Sequence, residues 1–397
     1  MDARQHLRAT TEGDLVAVAF PPGPGWLPLL EDAWASGRAV LPLDPRLTPA
    51  ELRALVDRAR PSLLLDGKGA VVLTDGVRVA PDTAIALATS GTAGVPRVVE
   101  LARSAVESAV LGSAASLGEA PGASWLCCLP VSHVGGLLVL MRGVIGGAAV
   151  EVHPGFDPGA VAAADADHVS LVPTMLRRLL EAGADLSRFR SILVGGAGLA
   201  DGMAGSARAA GARVVTTYGL TETCGGIAFD GRLAAGAAAR VGPEDELQLA
   251  GPTVMSGYLG DPEATASAFT LDGWLRTGDA GWIDEDGRVH VRGRLDERIR
   301  SGAETVWPQE VESALREHPK VAEVAVGARA DPEWGQHVVA FVVPSTVDEP
   351  PTLEELRDHA AARIARYKAP RELVLIPALP RTASGKVRRA ELRQELD

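Results

Sequence analysis

The sequence predicts an α/β fold: a large N-terminal domain of parallel-rich α/β subdomains plus a small β-rich subdomain, followed by a small α+β C-terminal domain. Three observations support this. Residues 15–217 alternate short apolar runs with amphipathic segments, which favours a parallel-rich sheet covered by helices. Residues 246–295 carry strand patterns without intervening helices. The remainder mixes both patterns within about a hundred residues, a common size for one domain.

The first part contains eight apolar runs that predict strands: LVAVAF, AVLPL, SLLL, AIALAT, SWLCCL, VSLVP, SILV and RVVTTY. Amphipathic segments such as TPAELRALVDRAR lie between them. In that segment Thr48 can cap the helix, Pro49 suits its first turn, and Glu51 completes a capping box. The spacing therefore predicts alternating strands and helices.

The second part predicts strands at ELQLAG, GWLRTGDAGWI and RVHVRG, with a hairpin turn at Asp286-Gly287. The predicted domains are thus 1–295, whose β-rich part covers about 225–295, and 296–397. In the last domain, PQEVESALREH predicts a helix, VAEVAVGA, HVVAFVV and ELVLI predict strands, and Thr352 with Glu355 opens another helix.

Composition limits the class of function. With 39 Lys and Arg against 51 Asp and Glu, the net charge is −12, which argues against a nucleic-acid partner. No apolar run approaches the roughly 20 residues of a membrane span, and the polar start lacks the pattern of a secretory signal. The three cysteines lack metal-ligand spacing. A reduced, cytoplasmic protein is expected.

The stretch ATSGTAGVPRVVEL places small hydroxylated residues and glycines directly after a predicted strand. Such a loop can present N–H groups and hydroxyls to a polyphosphate, although it also occurs as an ordinary turn. It is not the P-loop of NTPases, because the fifth residue after Gly91 is Pro96 and no Lys-Ser/Thr pair follows.

Seven motifs in one order carry a stronger signal: TSGTAGVPR, LPVSHVGGL, GGAGL, YGLTE, WLRTGDAGWIDEDG, GRLDERIRSGAETVWPQEVE and LPRTASGKVRRAEL. With them the sequence resembles the adenylate-forming (AMP-binding) superfamily of acyl-CoA synthetases from about residue 15 to the end, with an abbreviated opening segment. The resemblance implies that a carboxylate attacks the α-phosphorus of ATP to give acyl-AMP and pyrophosphate, and that a thiol then takes the acyl group.

The resemblance also implies site residues. The residues expected to bind the nucleotide are Thr89, Ser90, Gly91, Thr92, Gly94, Arg97, Gly195, Gly196, Ala197, Tyr218, Gly219, Thr221, Asp279 and Arg294. Glu222 would hold Mg²⁺, a cation that prefers oxygen ligands. Lys386 would bridge the attacking carboxylate and the α-phosphate. The small C-terminal domain would be mobile, with its hinge at Asp296 and with Gly302 lining the passage for the CoA thiol arm.

Arg97 departs from the family pattern, which usually has lysine after the proline of the phosphate loop. Arginine keeps the positive charge but replaces a compact ammonium with a planar fork. We expect phosphate binding to survive with modestly altered geometry.

The apolar stretch CCLPVSHVGGLLVLMRGVIGG bears on the substrate. The resemblance makes His133 a residue that gates the acyl and thiol channels. Arg142 within an apolar helix either pairs with a protein carboxylate, snorkels to solvent, or clamps a second carboxylate of the substrate. With such a clamp the sequence would resemble the o-succinylbenzoate–CoA ligases of menaquinone synthesis, whose substrate is a dicarboxylate.

Several alternatives stay open. The acid could be another aryl or aliphatic carboxylate, and the acceptor could be a carrier-protein phosphopantetheine instead of CoA. A non-catalytic nucleotide-binding relative is the alternative from another class. The expected partners are ATP, CoA and a small carboxylic acid, and the assembly state is open, a homodimer included.

Overall fold

The computed structural model describes residues 11, 13–67, 69–89, 96–199, 201–381 and 387–394. The chain divides into two compact units. The first consists of Met1–Arg240, Gln248–Thr277 and Glu285–Val289, and the second of Val241–Leu247, Gly278–Asp284 and His290–Asp397. This division differs from the predicted boundary at Asp296, because three segments of the predicted β-rich subdomain belong with the second unit.

The described strands are numbered in chain order: β1 Leu15–Ala19, β2 Ala39–Pro42, β3 Leu63–Asp66, β4 Gly69–Val72, β5 Thr83–Thr89, β6 Arg97–Ala102, β7 Ser124–Cys127, β8 Ala149–Val152, β9 His168–Leu171, β10 Ser191–Val194, β11 Val214–Leu220, β12 Gly225–Phe229, β13 Arg232–Leu233, β14 Ala238–Val241, β15 Glu246–Ala250, β16 Gly257–Tyr258, β17 Leu275–Ile283, β18 Val289–Arg294, β19 Ile299–Ser301, β20 Glu304–Val306, β21 Val321–Asp331, β22 Gly335–Pro344 and β23 Glu372–Leu375. The described helices are α1 Trp26–Ala35, α2 Pro49–Ala59, α3 Arg103–Leu117, α4 Val134–Gly146, α5 Pro158–Ala163, α6 Pro173–Glu181, α7 Asp201–Ala209, α8 Pro262–Ala268, α9 Pro308–Arg316, α10 Leu353–Ala361 and α11 Arg389–Gln394.

Two seven-stranded sheets form the first unit. The first sheet has the order β16-β6-β5-β2-β1-β3-β4, and the pairs β1–β2, β1–β3 and β2–β5 are parallel. The second has the order β13-β12-β11-β10-β9-β7-β8 and is parallel from β8 to β11. The eight predicted strands are all present, and the predicted α/β class is confirmed. The other six strands of these sheets were not predicted, since their apolar runs are short or interrupted by polar residues: β4, β6, β8, β12, β13 and β16.

Helix α2 shows how local chemistry sets an element boundary. Thr48 Oγ1 accepts the N–H of Glu51 at 3.3 Å, and the Glu51 carboxylate accepts the N–H of Thr48 at 2.8 Å. This is the predicted capping box. The predicted box of Thr352 and Glu355 opens α10 in the same way.

Strands β14, β15, β17 and β18 form a four-stranded sheet in that order. The last two are neighbours joined by a turn in which Gly287 has φ +76°, so the predicted hairpin at Asp286-Gly287 is confirmed. The second unit contains a five-stranded sheet, β20-β19-β22-β21 with β23 on β22, whose long hairpin of β21 and β22 buries a valine- and alanine-rich core. Among the described helices, none has the length and apolarity that crossing a membrane requires.

Candidate active site

The segment TTYGLTETCGG folds as strand β11, a 3₁₀ turn over Thr221–Thr223, and strand β12, which returns antiparallel. Thr223 is fully buried and holds this turn together: its Oγ1 accepts the N–H of Leu220 and donates to the carbonyl of Gly225, both at 2.8 Å. The turn therefore presents Thr221 and Glu222 at the carboxyl end of β11.

Gly219 is required by the backbone at this point. The pairing register shifts between Tyr218 and Gly219, and a Cβ on Gly219 would lie 1.9 Å from the carbonyl oxygen of Gly225. A residue with a side chain cannot fit there without moving β12. Gly219 thus has a structural reason to be glycine, besides the nucleotide contact expected from the motif. Tyr218 lies half-buried beside it, opposite Ala228.

The GGAGL motif follows β10, the parallel neighbour of β11. The N–H of Gly195 donates to the carbonyl of Leu171 at 3.1 Å, and Gly196 has φ +80°. A Cβ on Gly195 would lie 2.6 Å from Cγ2 of Thr217, the residue before Tyr218. The two motifs expected to bind adenine are therefore adjacent at one edge of the second sheet, where open α/β sheets bind ligands.

Tyr258 is a residue that the sequence analysis missed. Its phenol donates to Oε1 of Glu222 at 2.9 Å, and Met255, three residues earlier, donates its N–H to the carbonyl of Glu222 at 2.8 Å. Burial, followed by the charge and hydrogen bond of Glu222, raises the pKa of Tyr258 to about 12, so the phenol remains a donor at neutral pH. No local pattern in SGYLGDP indicates this contact, because it joins residues 36 positions apart.

Arg97 is the first residue of β6, and its guanidinium lies over the ring of Tyr258, with Cζ 5.2 Å from the ring centroid. Its backbone pairs with that of Thr89, the last residue of β5, so the phosphate loop joins two antiparallel strands at this point. The side chain of Arg97 is exposed. Arginine therefore adds a cation–π contact while it keeps a positive charge beside the loop.

The remaining residues predicted in the phosphate loop, Ser90, Gly91, Thr92 and Gly94, lie outside the described residues, as does Lys386. Their predicted roles stay predictions.

His133 precedes α4 and occupies its N-cap position. Burial by itself would raise the pKa of the Asp44 carboxyl. The hydrogen bonds and charge of Arg46, together with the charge of His133, lower that pKa below its usual value. Arg46 binds Asp44 through two nitrogens, at 2.9 and 2.7 Å. The gating role of His133 stays a prediction.

Arg142, for which the sequence left three roles open, has partners inside the protein. It lies in α4 with 3% of its surface exposed, pairs with Glu119 at 3.3 Å, and covers the ring of Trp125. The indole N–H of Trp125 donates to the other oxygen of Glu119 at 3.0 Å. An internal carboxylate and an aromatic face thus hold the guanidinium, and its role as a substrate clamp stays a prediction. The pair with Glu119 is the protein-carboxylate alternative that the sequence left open.

In the second unit, Arg294 joins two of the predicted residues. Its guanidinium contacts Asp279 at 3.3 Å and Asp296 at 3.4 Å. Burial by itself would lower the pKa of Arg294, but these two carboxylates raise it above its usual value. Asp279 is buried, and Gly302 has φ +65° with its N–H donating to the carbonyl of Trp334 at 2.8 Å. The ribose, hinge and thiol-passage roles of these residues stay predictions.

The side chains at the end of β11 suit magnesium bound together with nucleotide phosphates better than they suit a metal held by protein ligands alone. Within the described ranges, no three His, Cys, Asp or Glu side chains cluster as a ligand set. Mg²⁺ is typically bound by one or two carboxylates together with substrate phosphates. Glu222 presents a carboxylate at the end of β11, with a hydrogen bond at its Oε1 from Tyr258, and its role as a magnesium ligand stays a prediction.

Comparison with known proteins agrees with this arrangement. The model of the family described as AMP-binding enzyme matches residues 68–259, and that of the AMP-binding enzyme C-terminal domain matches residues 310–386. The chain is 38% identical to a probable 2-succinylbenzoate–CoA ligase of Mycobacterium tuberculosis, over 80% of this chain and 85% of that protein. It is 36% identical to an indoleacetate–CoA ligase of Aromatoleum aromaticum, over 83% of this chain and 71% of that protein.

Solved structures give the same picture. The o-succinylbenzoate CoA synthetase MenE of Bacillus subtilis, in complex with the acyl-adenylate intermediate OSB-AMP, superposes with a TM-score of 0.88 at 27% identity, covering 98% of this chain and 90% of that one. The same protein in complex with ATP and a magnesium ion gives 0.87, also at 27% identity, over 98% of this chain and 91% of that one. The chain therefore belongs to the family of AMP-binding enzymes, the adenylate-forming acid–thiol ligases.

Proposed function

We propose that this enzyme is an ATP-dependent 2-succinylbenzoate–CoA ligase that works through an acyl-adenylate, with ATP, Mg²⁺ and CoA as its cofactors. The observation that carries the ligase chemistry is the edge of the second sheet, where the GGAGL motif, Tyr218 and the Thr221–Thr223 turn lie together. The substrate assignment rests on the 38% identity to the probable 2-succinylbenzoate–CoA ligase of Mycobacterium tuberculosis; 2-succinylbenzoate is another name for o-succinylbenzoate.

In the first half-reaction a carboxylate oxygen of the acid attacks the α-phosphorus of ATP. The bond to the bridging oxygen breaks, and pyrophosphate leaves. Tyr218 and Gly195–Ala197 would hold the adenine, and Thr221 would contact the α-phosphate. Lys386 would offset the repulsion between the carboxylate and the polyphosphate. Bound Mg²⁺ would neutralise phosphate charge, with Glu222 as its protein ligand.

In the second half-reaction the sulfur of CoA attacks the acyl carbonyl of the adenylate. A thioester forms, AMP leaves, and the thiol proton is released. Asp296 is the proposed hinge for the change between the two half-reactions, and Gly302 would line the passage of the thiol arm. His133 would control access to the acyl carbon.

A monocarboxylate such as indoleacetate is the second candidate for the acid. The indoleacetate–CoA ligase of Aromatoleum aromaticum is 36% identical, close to the 2-succinylbenzoate relative. The pairing of Arg142 with Glu119 also supports this candidate, because a guanidinium engaged by a protein carboxylate is less available to a second carboxylate of the substrate.

Product analysis by mass spectrometry tests both assignments. The enzyme is incubated with Mg-ATP, CoA and, separately, o-succinylbenzoate, indoleacetate, benzoate or a medium-chain fatty acid, and each reaction is repeated with Lys386→Ala. A thioester formed fastest from o-succinylbenzoate and lost in the variant is the expected result. Thioester from the monoacids alone would keep the ligase and reject the substrate. The absence of any adenylate or thioester would reject the ligase.

A further inference from the structure

The backbone of Glu222 is held on both sides, but its side chain needs a separate constraint. Thr223 fixes the turn, and the N–H of Met255 binds the Glu222 carbonyl. A glutamate side chain nonetheless has three rotatable bonds, and Mg²⁺ demands near-ideal octahedral geometry from its ligands. A ligand of that kind benefits from a partner that orients its carboxylate.

Tyr258 meets this requirement because its own position is fixed. It lies in β16, which pairs with β6 so that Tyr258 faces Val99. The N–H of Tyr258 donates to Oγ1 of Thr265 at 2.9 Å, and the next residue, Leu259, donates to the carbonyl of Val98 at 2.8 Å. Only 8% of the surface of Tyr258 is exposed, so the residues packed around its ring hold it in place.

Arg97 completes the arrangement from the adjoining strand. Its guanidinium covers the Tyr258 ring. The three side chains Arg97, Tyr258 and Glu222 therefore form a contiguous chain that begins beside the phosphate loop and ends at the carboxylate expected to bind the metal. We refer to them as the Arg97–Tyr258–Glu222 chain.

We propose that Tyr258 is a positioning residue for adenylation: its phenol holds Oε1 of Glu222 and so orients the carboxylate to ligate the Mg²⁺ that accompanies ATP. This role rests on the proposed function, since it requires a magnesium–nucleotide complex as ligand. Orienting partners of metal-ligating carboxylates typically change metal affinity by about 10- to 100-fold. The competing explanation is that Tyr258 only packs in the core of the first unit, where it is one of the buried residues.

Tyr258→Phe separates the two explanations, because it keeps the ring and removes only the hydroxyl. The full-length protein is titrated with α,β-methylene-ATP by calorimetry, once with saturating Mg²⁺ and once with a chelator. The ratio of the two dissociation constants measures how much the metal strengthens nucleotide binding. In Tyr258→Phe this gain should fall by about 10-fold or more, whereas nucleotide binding without metal stays as in the wild type.

Two further variants sharpen the test. Tyr367→Phe removes the hydroxyl of an exposed tyrosine in the second unit and should leave the gain unchanged. Glu222→Gln should reduce the gain. The double variant with Tyr258→Phe should show little further loss of gain, because the effects of two residues that act through one group are not additive. A wild-type gain in Tyr258→Phe would overturn the proposal. A wild-type enzyme that binds no nucleotide would instead overturn the proposed function on which it rests.

Discussion

The guanidinium of Arg142 lies over the indole of Trp125, with Cζ 3.9 Å from the ring centroid. Glu119 joins the two, since it accepts from Arg142 at 3.3 Å and from the Trp125 indole at 3.0 Å. A charge that looked suited to a substrate is therefore part of the interior of the first unit.

Replacing Arg142 with alanine should lower stability without changing substrate preference. Removing one member of a buried ion pair leaves the other uncompensated, at a cost of about 3–5 kcal/mol. For a unit of this size the melting temperature should fall by about 5–9 °C. Scanning calorimetry measures the fall, and the ratio of kcat/KM for o-succinylbenzoate to that for benzoate measures preference. A matched control is Arg177→Ala, which breaks an exposed helical pair with Glu181 and should cost about 0.5 kcal/mol or less. A substrate preference that shifts toward benzoate would show that Arg142 binds the second carboxylate of o-succinylbenzoate.

Arg97→Lys should be tolerated. Lysine keeps the charge beside the phosphate loop but loses the planar stack on Tyr258, which is worth about 0.5–1 kcal/mol at an exposed site. The KM for ATP in pyrophosphate exchange should therefore rise by no more than about fivefold. Arg97→Ala also loses the charge and should give the larger rise, with the difference between the two variants shrinking at high salt. Equal effects for lysine and alanine would show that the charge of Arg97 is irrelevant to ATP.

The stability of the first unit should fall as the pH drops below 6.5, in part because of His168. Its Nδ1 lies 2.6 Å from Oγ of Ser191 and its ring stacks on Trp125. Burial lowers the pKa of His168 from its usual 6.5, and the charges of Glu119 and Asp167 oppose this less strongly. Above pH 6.5 the imidazole of His168 is neutral in both the folded and the unfolded protein. Below pH 6.5 the imidazole takes up its proton more readily in the unfolded chain, so the folded state loses stability.

His168→Asn keeps a hydrogen-bonding group for Ser191 and removes the titration. The fall in melting temperature between about pH 7.5 and about pH 5.5 should then be smaller in the variant than in the wild type. An identical pH dependence in both proteins would assign the effect to other groups.

The three thiols should not react in the folded enzyme. Cys127, Cys128 and Cys224 are free and at most 1% exposed, and burial raises the pKa of each to about 12. Because the thiolate is the reactive form, a disulfide reagent at neutral pH should label none of them natively and all three in denaturant. Counting the released chromophore checks this, and one equivalent released natively would contradict the burial of that thiol.

Local patterns in the sequence determined much of the fold. Short-range chemistry specifies the capping boxes of Thr48 and Thr352, the Asp286-Gly287 turn and the eight predicted strands of the first unit, because each depends on neighbouring residues. The order of seven motifs likewise determined the family, since each motif is a local stretch.

Only the tertiary structure decided which side chains meet. Arg142 and Glu119 are 23 positions apart, and Tyr258 and Glu222 are 36 apart. No periodicity encodes these pairs, because they depend on how strands and helices from different parts of the chain are stacked. The same holds for segments 241–247 and 278–284, which the sequence placed with the large domain and which the fold groups with the second unit. Sequence thus specified the residues available for the site, and packing between distant segments specified the partner of each.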